Sequence, residues 1–114
     1  GVGALLPYVM RFNLPVRVEV FAELADVLGV QDPDVGEHEN AQRAILRIDE
    51  LLAALGVPAD LKTLGLARED IHDVAERSLL STRLIANNAR PLTKADAVEI
   101  LERAYAGDRG WWAP

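Results

Sequence analysis

The sequence predicts an all-α protein, a bundle of five helices in one domain that spans residues 1–114. Along most of the chain, apolar residues recur at intervals of three and four, which is the period of an amphipathic helix. No stretch alternates apolar and polar residues for long enough to predict a strand. Glycine and proline stand where the helical pattern stops, and the 114 residues suit one compact domain.

The first two predicted helices are separated by Asn13-Leu14-Pro15. The first covers residues 5–12, with Pro7 near its start, where proline is tolerated. The second runs from Pro15, a favoured first helical residue, to about Leu28. Gly29 then predicts a left-handed helix end. The expected buried face of this second helix consists of Val20, Phe21, Leu24, Ala25 and Leu28.

The third predicted helix covers residues 37–55 and carries the clearest apolar stripe in the chain. Gly56 predicts its end, and Pro58 follows two residues later, as expected after a helix stop. The stripe comprises Ala41, Ile45, Ile48, Leu52 and Leu55.

The last two helices are predicted over residues 68–85 and 94–106. Thr93 is expected to cap the fifth helix, and Asp96 completes a pattern like a capping box. Gly107 predicts its end, which leaves Asp108 to Pro114 as a tail with two adjacent tryptophans. Since exposed tryptophans are unfavourable in water, we expect Trp111 and Trp112 to fold back on this domain or onto a missing one. Binding of a partner surface remains the alternative.

Composition excludes several classes of function. The chain has no cysteine, so disulfides, thiolate metal sites and cysteine nucleophiles are excluded. The net charge is −6 and the basic residues are scattered singly, which argues against a nucleic-acid partner. No apolar run reaches the roughly 20 residues that span a bilayer. The apolar start lacks the basic region of a signal peptide, so we expect a cytoplasmic protein. The first residue is glycine rather than methionine, which favours a chain that begins inside a longer one.

Residues with catalytic or metal-binding chemistry are sparse. His38 is followed by a glutamate, but Gln42 stands where a zinc motif needs its second histidine, and His72 lies among acids. We therefore expect both histidines on the surface. The acids from Asp32 to Glu39 are interpreted as favouring a helix start rather than as a weak cation site. No glycine-rich nucleotide motif is complete. From its residues alone, the chain is an acidic helical domain without a self-contained active site.

Two segments nevertheless resemble a known family. One is Ala4-Leu5-Leu6-Pro7-Tyr8-Val9-Met10-Arg11-Phe12-Asn13. The other is Ala86-Asn87-Asn88-Ala89-Arg90-Pro91-Leu92-Thr93, followed by a helix that ends Arg103-Ala104-Tyr105. In this order and spacing, with Leu64-Gly65-Leu66 between them, they resemble the C-terminal helical domain of iron-containing alcohol dehydrogenases, which have the dehydroquinate-synthase-like fold.

The resemblance implies a two-domain parent enzyme. A missing N-terminal nucleotide-binding domain would bind NAD or NADP. The helical domain would hold iron, or sometimes zinc, through one aspartate and three histidines, and this metal would polarise the alcohol or carbonyl oxygen. The last of those histidines lies upstream of the L-L-P motif at Pro7 and so falls outside this chain. We therefore assign no catalytic, cofactor-binding or metal-binding residue here, and we expect the isolated chain to bind neither iron nor NADH.

By the same resemblance, Leu84, Asn87 and Asn88 are candidates for lining the alcohol cleft. The family's Asn-Pro-Arg reads Asn88-Ala89-Arg90 here, which makes this turn less rigid. Two alternatives stay open. The parent is a sister enzyme, such as glycerol dehydrogenase or maleylacetate reductase, or the chain is a stand-alone helical module that binds a protein. The resemblance is also compatible with a homo-oligomer.

Overall fold

Helices account for all regular secondary structure in the part of the chain that this computed structural model describes, which comprises residues 2–58, 60–63, 65–79 and 90–113. The α-helices are α1 (Leu6–Asn13), α2 (Val18–Val27), α3 (Glu37–Ala54), α4 (Ile71–Leu79) and α5 (Lys94–Ala106). Short 3-10 helices occupy Val2–Leu5, Leu14–Val16, Arg68–Asp70 and Arg109–Trp111. The predicted all-α, five-helix architecture is confirmed within these ranges.

The predicted starts of the second and fourth helices are wrong by a few residues. Pro15 lies in the Leu14–Val16 3-10 helix, and α2 begins only at Val18. The intervening Arg17 has φ −133°, so the backbone leaves the helical region for one residue. The Arg68–Asp70 segment is likewise a 3-10 helix that leads into α4 at Ile71. Tight 3-10 turns of this kind are common at helix ends, and their sequence pattern matches that of a first α-helical turn.

The predicted helix-terminating residues are confirmed. Gly29, Gly56 and Gly107 all have positive φ, between 67° and 82°, which a residue with a side chain adopts only at a cost. At the start of α5, the backbone N–H of Asp96 donates to Thr93 Oγ1 at 3.2 Å. The N–H of Thr93 donates back to Asp96 Oδ2 at 3.0 Å, which completes the capping box.

Helix α1 occupies the centre of the packing, because it contacts both α3 and α5. Helix α2 packs against α3, and α4 packs against α5. The single core cluster draws on α1, α3, α4, α5 and the C-terminal residues, and its fully buried members include Tyr8, Ile45, Ile71, Ala104 and Trp112. The core therefore joins the beginning and the end of the chain.

Two residues of the predicted apolar stripes lie on the surface. Val20 is 53% exposed, and Ala22, which was not in the predicted face, is buried together with Ala25. Phe21 and Leu24 of the predicted face are partly buried against the core, so the buried side of α2 is rotated toward Ala22 and away from Val20. Leu55 is 80% exposed because it follows the last residue of α3, directly before the chain turns at Gly56.

Candidate functional site

The residues predicted to line a substrate cleft, Leu84, Asn87 and Asn88, lie outside the residues that the structure describes. What it does describe is the frame on either side of them. Helix α4 precedes this stretch, and Arg90 with the start of α5 follows it. The described residues nearest in sequence to the predicted cleft are those of α4, Arg90 and α5, and Arg90 also contacts α1.

Arg90 is held on the end of α1. Its Nη1 donates a hydrogen bond of 2.7 Å to the backbone carbonyl of Phe12. Its guanidinium carbon also lies 4.1 Å from the centroid of the Phe12 ring, in a cation–π contact. Phe12 and Arg90 belong to the two sequence segments that carry the family resemblance. The structure thus brings these distant segments into direct contact, and we call this contact the junction.

Two surface clefts flank α5. One, of about 440 Å³, is lined by His72 and by Lys94, Ala95 and Val98 of α5. The Nζ of Lys94 lies 3.6 Å from Glu76 Oε2 of α4 near this cleft. The other cleft, of about 490 Å³, has charged side chains of both signs in its wall, and these are Arg68, Glu99, Glu102, Arg103 and Asp108. The described residues that line these two walls include no serine, threonine or cysteine, the nucleophiles that a neighbouring general base activates.

His38 and His72 are exposed, as predicted. Among the described residues, no group of three or more His, Cys, Asp and Glu side chains is placed to hold a metal ion. The one-aspartate, three-histidine set that the resemblance implies therefore does not fit the described residues of this chain.

The sequence did not reveal how tightly the C-terminal residues pack. Residues 108–113, which we call the clasp, lie across α1, and Trp112 in the clasp is completely buried. The Trp112 ring meets that of Tyr8 edge-on, with centroids 4.7 Å apart and planes at 79°. Of the two readings of the paired tryptophans, folding back on this domain is confirmed for Trp112. The doubled tryptophan was the only sequence signal of this contact.

Near the clasp, burial raises the pKa of two acidic groups, Tyr8 and Asp49, and lowers the pKa of one basic group, Arg11. Burial, followed by the negative charge of Asp49, raises the pKa of the Tyr8 hydroxyl to about 12. Burial also raises the pKa of Asp49, although its ion pair with Arg109 opposes the shift. Burial and then the nearby charge of Arg103 lower the pKa of Arg11. Tyr8 is buried and Asp49 and Arg11 are partly buried near the clasp, so the first cause of each shift is loss of solvent on packing.

No described helix is long and apolar enough to cross a membrane.

Comparison with known proteins agrees with the resemblance. Residues 1–105 match the model of the Fe-containing alcohol dehydrogenase family, C-terminal. The 1,3-propanediol dehydrogenase of Citrobacter freundii is 32% identical over 103 residues, which is 90% of this chain and 26% of that protein. The NAD-dependent methanol dehydrogenase of Bacillus methanolicus is 28% identical and covers 87% of this chain and 26% of its own length. Maleylacetate reductase 1 of Rhodococcus opacus is 29% identical in a match that covers 92% of this chain and 26% of that protein.

A solved structure shows the same fold. The alcohol dehydrogenase from Oenococcus oeni superposes with a TM-score of 0.84 at 33% identity, covering 90% of this chain and 27% of that one. This chain therefore spans about a quarter of the length of the relatives it matches. Because the family match extends over residues 1–105 and the fold agrees with that of a solved member, the chain belongs to the Fe-containing alcohol dehydrogenase family, as its C-terminal helical part.

Proposed function

We propose that this chain is the helical C-terminal part of a metal- and NAD(P)-dependent alcohol dehydrogenase. The complete enzyme interconverts an alcohol and an aldehyde or ketone by hydride transfer. The observation that carries the proposal is the family match over residues 1–105, together with relatives whose names describe oxidation of alcohols or reduction of carbonyl compounds. Under this proposal the chain by itself is inactive, because the metal ligands and the nucleotide-binding turn that the family resemblance implies belong to the upstream part of the complete enzyme.

In the complete enzyme, an N-terminal nucleotide-binding domain is the partner of this chain. That domain supplies the site for NAD or NADP, and upstream residues supply the ligands of iron or zinc. A metal held by those upstream ligands would supply Lewis-acid chemistry at the substrate oxygen. The role of the present chain is to pack against that domain and to present the segment between α4 and Arg90 to the substrate cleft. Under this proposal, Leu84, Asn87 and Asn88 line the cleft.

The enzyme is proposed to act in the cytoplasm without a nucleic-acid or membrane partner. The net charge of −6 opposes binding to a phosphate backbone. Assembly into a homo-oligomer is compatible with this function, and gel filtration of the complete enzyme tests it.

The experiment that tests the function begins with the gene. We expect the reading frame upstream of Gly1 to encode a glycine-rich turn and a spaced aspartate with three histidines. The complete protein is then assayed for reduction of NAD+ or NADP+ with 1,3-propanediol and with methanol, with and without a metal chelator. We expect alcohol-dependent reduction of the nicotinamide that the chelator abolishes, and no turnover by residues 1–114 alone. A start codon directly before Gly1, or a complete protein that turns over no alcohol or carbonyl compound, contradicts the proposal.

A sister activity is the second candidate, and the match to maleylacetate reductase 1 favours it. The two are distinguished in the same assay by following NADH oxidation with maleylacetate. Faster turnover of maleylacetate than of any simple alcohol or aldehyde assigns the sister activity.

A further inference from the structure

The clasp lies beyond the part of the chain that the family model accounts for. The family match ends at residue 105, whereas the clasp covers residues 108–113. Nevertheless, Trp112 is 0% exposed and is the largest fully buried side chain among the described residues. A segment that contributes so much buried apolar surface stabilises whatever it covers. The question is therefore which elements the clasp holds in place.

Helix α1 is the main element under the clasp. Trp112 packs edge-on against Tyr8, which is only 1% exposed. One turn further along α1, the Nε of Arg11 donates a hydrogen bond of 2.7 Å to the backbone carbonyl of Trp111. The guanidinium of Arg11 also lies over the Trp111 ring, 5.2 Å from its centroid. The clasp thus fixes α1 through both an apolar contact and a charge-assisted hydrogen bond.

The clasp is itself fastened to two other helices. Arg109 Nε lies 2.8 Å from Asp49 Oδ2 of α3, and Gln42 of α3 donates to the carbonyl of Ala113 at 3.1 Å. On the α5 side, Arg103 pairs with Asp108, and its guanidinium carbon lies 5.2 Å from the centroid of the Trp111 ring. Because the clasp is bound to α3 and α5, it holds α1 against a fixed frame rather than moving with it.

Helix α1 connects the clasp with the junction. Tyr8 and Phe12 are four residues apart on α1, one helical turn, so a shift of the helix at Tyr8 is carried to Phe12. Phe12 in turn provides both the carbonyl and the ring that hold Arg90. A continuous path therefore runs from Trp112 to the Tyr8 ring, along one turn of the α1 backbone to Phe12, and from Phe12 to Arg90.

We propose that Trp112 is a positioning residue, which acts through Tyr8 on α1 and thereby sets the geometry of the Phe12–Arg90 junction. This inference rests on the proposed function, since the junction joins the two segments that identify the dehydrogenase. It goes further, because it assigns a role in turnover to a C-terminal segment outside the family match.

The test compares Trp112→Ala and Trp112→Phe in the complete enzyme, well below the unfolding temperature of either variant. Phenylalanine keeps an aromatic edge against Tyr8, and the Trp112 indole N–H has no hydrogen-bond partner among the described residues, so the change removes no such bond. Amide hydrogen exchange is measured in peptides that cover α1, with α2 as the internal control, because α2 packs on α3 away from the clasp. The kcat and KM for the alcohol are measured in parallel.

We expect Trp112→Ala to speed exchange in α1 by about tenfold while α2 is unchanged. We also expect kcat/KM to fall by about tenfold, since small displacements of positioning groups have effects of this size or larger. Trp112→Phe should keep both the exchange rate of α1 and kcat/KM close to the values of the unsubstituted enzyme. Arg90→Ala should lower kcat/KM without speeding exchange at Tyr8, and adding Trp112→Ala to it should lower kcat/KM little further, because both act through the junction.

Three results overturn the inference. The first is unchanged exchange in α1 of Trp112→Ala. The second is equal acceleration in α1 and α2, which shows a general loss of stability. The third is faster exchange in α1 with unaltered kcat/KM. Absence of dehydrogenase activity in the unsubstituted enzyme is a separate result. It removes the proposed function and the role in turnover with it, whereas the exchange data still decide whether the clasp holds α1.

Discussion

Arg109 of the clasp forms an ion pair with Asp49 of α3, with 2.8 Å between Nε and Oδ2. The Asp49 side chain is only 14% exposed, whereas that of Arg109 is 48% exposed. Burial raises the pKa of Asp49 even though Arg109 opposes the shift. The ion pair with Arg109 thus offsets part of the desolvation cost of Asp49 and stabilises its charged form in the folded state.

Arg109→Ala should destabilise the fold by about 1–2 kcal/mol at neutral pH, because it leaves a poorly solvated carboxylate without its partner. Removing Arg109 raises the pKa of Asp49 further. The pH-dependent part of the loss is therefore complete above the folded-state pKa of Asp49 in the variant. It disappears below the folded-state pKa of Asp49 in the unsubstituted chain, which itself lies above the ordinary value of 3.8, because the carboxyl is then protonated in both folded proteins. Urea unfolding at several pH values measures this trend. In an Asp49→Asn background, Arg109→Ala should show no such dependence, and an equal loss at every pH contradicts the explanation.

Tyr8 predicts a loss of stability in alkali. Its pKa is raised to about 12 in the folded state from the ordinary value of 10.0. Between these values the unfolded chain ionises while the folded chain keeps its proton, so stability falls as the pH rises, by roughly 2–3 kcal/mol. This contribution is fully present below pH 10. Tyr8→Phe should flatten the stability profile in this interval, as measured by urea unfolding. Tyr105→Phe is the control, and a profile of Tyr8→Phe as steep as that of the unsubstituted chain refutes the prediction.

Arg90 offers a test of the junction in terms of stability. Arg90→Ala should cost about 1–2 kcal/mol, because it removes both the hydrogen bond to the Phe12 carbonyl and the contact with the Phe12 ring. Arg90→Lys should recover only part of this, since an ammonium group lacks the planar fork. In a Phe12→Leu background, the difference between lysine and arginine should shrink. If the difference in unfolding free energy between arginine and lysine at position 90 stays the same in that background, the Phe12 ring does not contribute to it.

The capping box of α5 predicts a simple pair of variants. Thr93→Ala removes the acceptor of the Asp96 N–H and should destabilise the fold by about 1 kcal/mol. Thr93→Ser keeps the hydroxyl oxygen and should be nearly neutral. Thermal unfolding of the two variants side by side measures the difference. Equal melting temperatures for alanine and serine would mean that the hydrogen bond does not contribute.

Much of the fold was predictable because its signals are local. The left-handed ends at Gly29, Gly56 and Gly107 and the Thr93–Asp96 box each depend on residues within one turn of one another. Apolar spacing predicted the existence of each helix for the same reason. The errors at Pro15 and Arg68 concern the first turn of a helix, where 3-10 and α-helical geometry share a sequence pattern.

The candidate site was less accessible to sequence reasoning. Leu84, Asn87 and Asn88 were assigned by resemblance, remain a prediction, and lie outside the described residues. The contact of Arg90 with Phe12 joins residues 78 positions apart, and no periodicity or motif signals such a pairing. The double tryptophan indicated burial but not the place, which the packing against Tyr8 decides.

By itself, the sequence determined the all-α class, most helix boundaries and the family resemblance, since periodicity, capping and motif order are properties of neighbouring residues. Only the tertiary structure decided that Ala22 of α2 is buried while Val20 faces solvent, and that the clasp closes over α1. These outcomes depend on how whole helices orient against one another. That orientation follows from the shape of surfaces assembled from distant parts of the chain, which no local pattern contains.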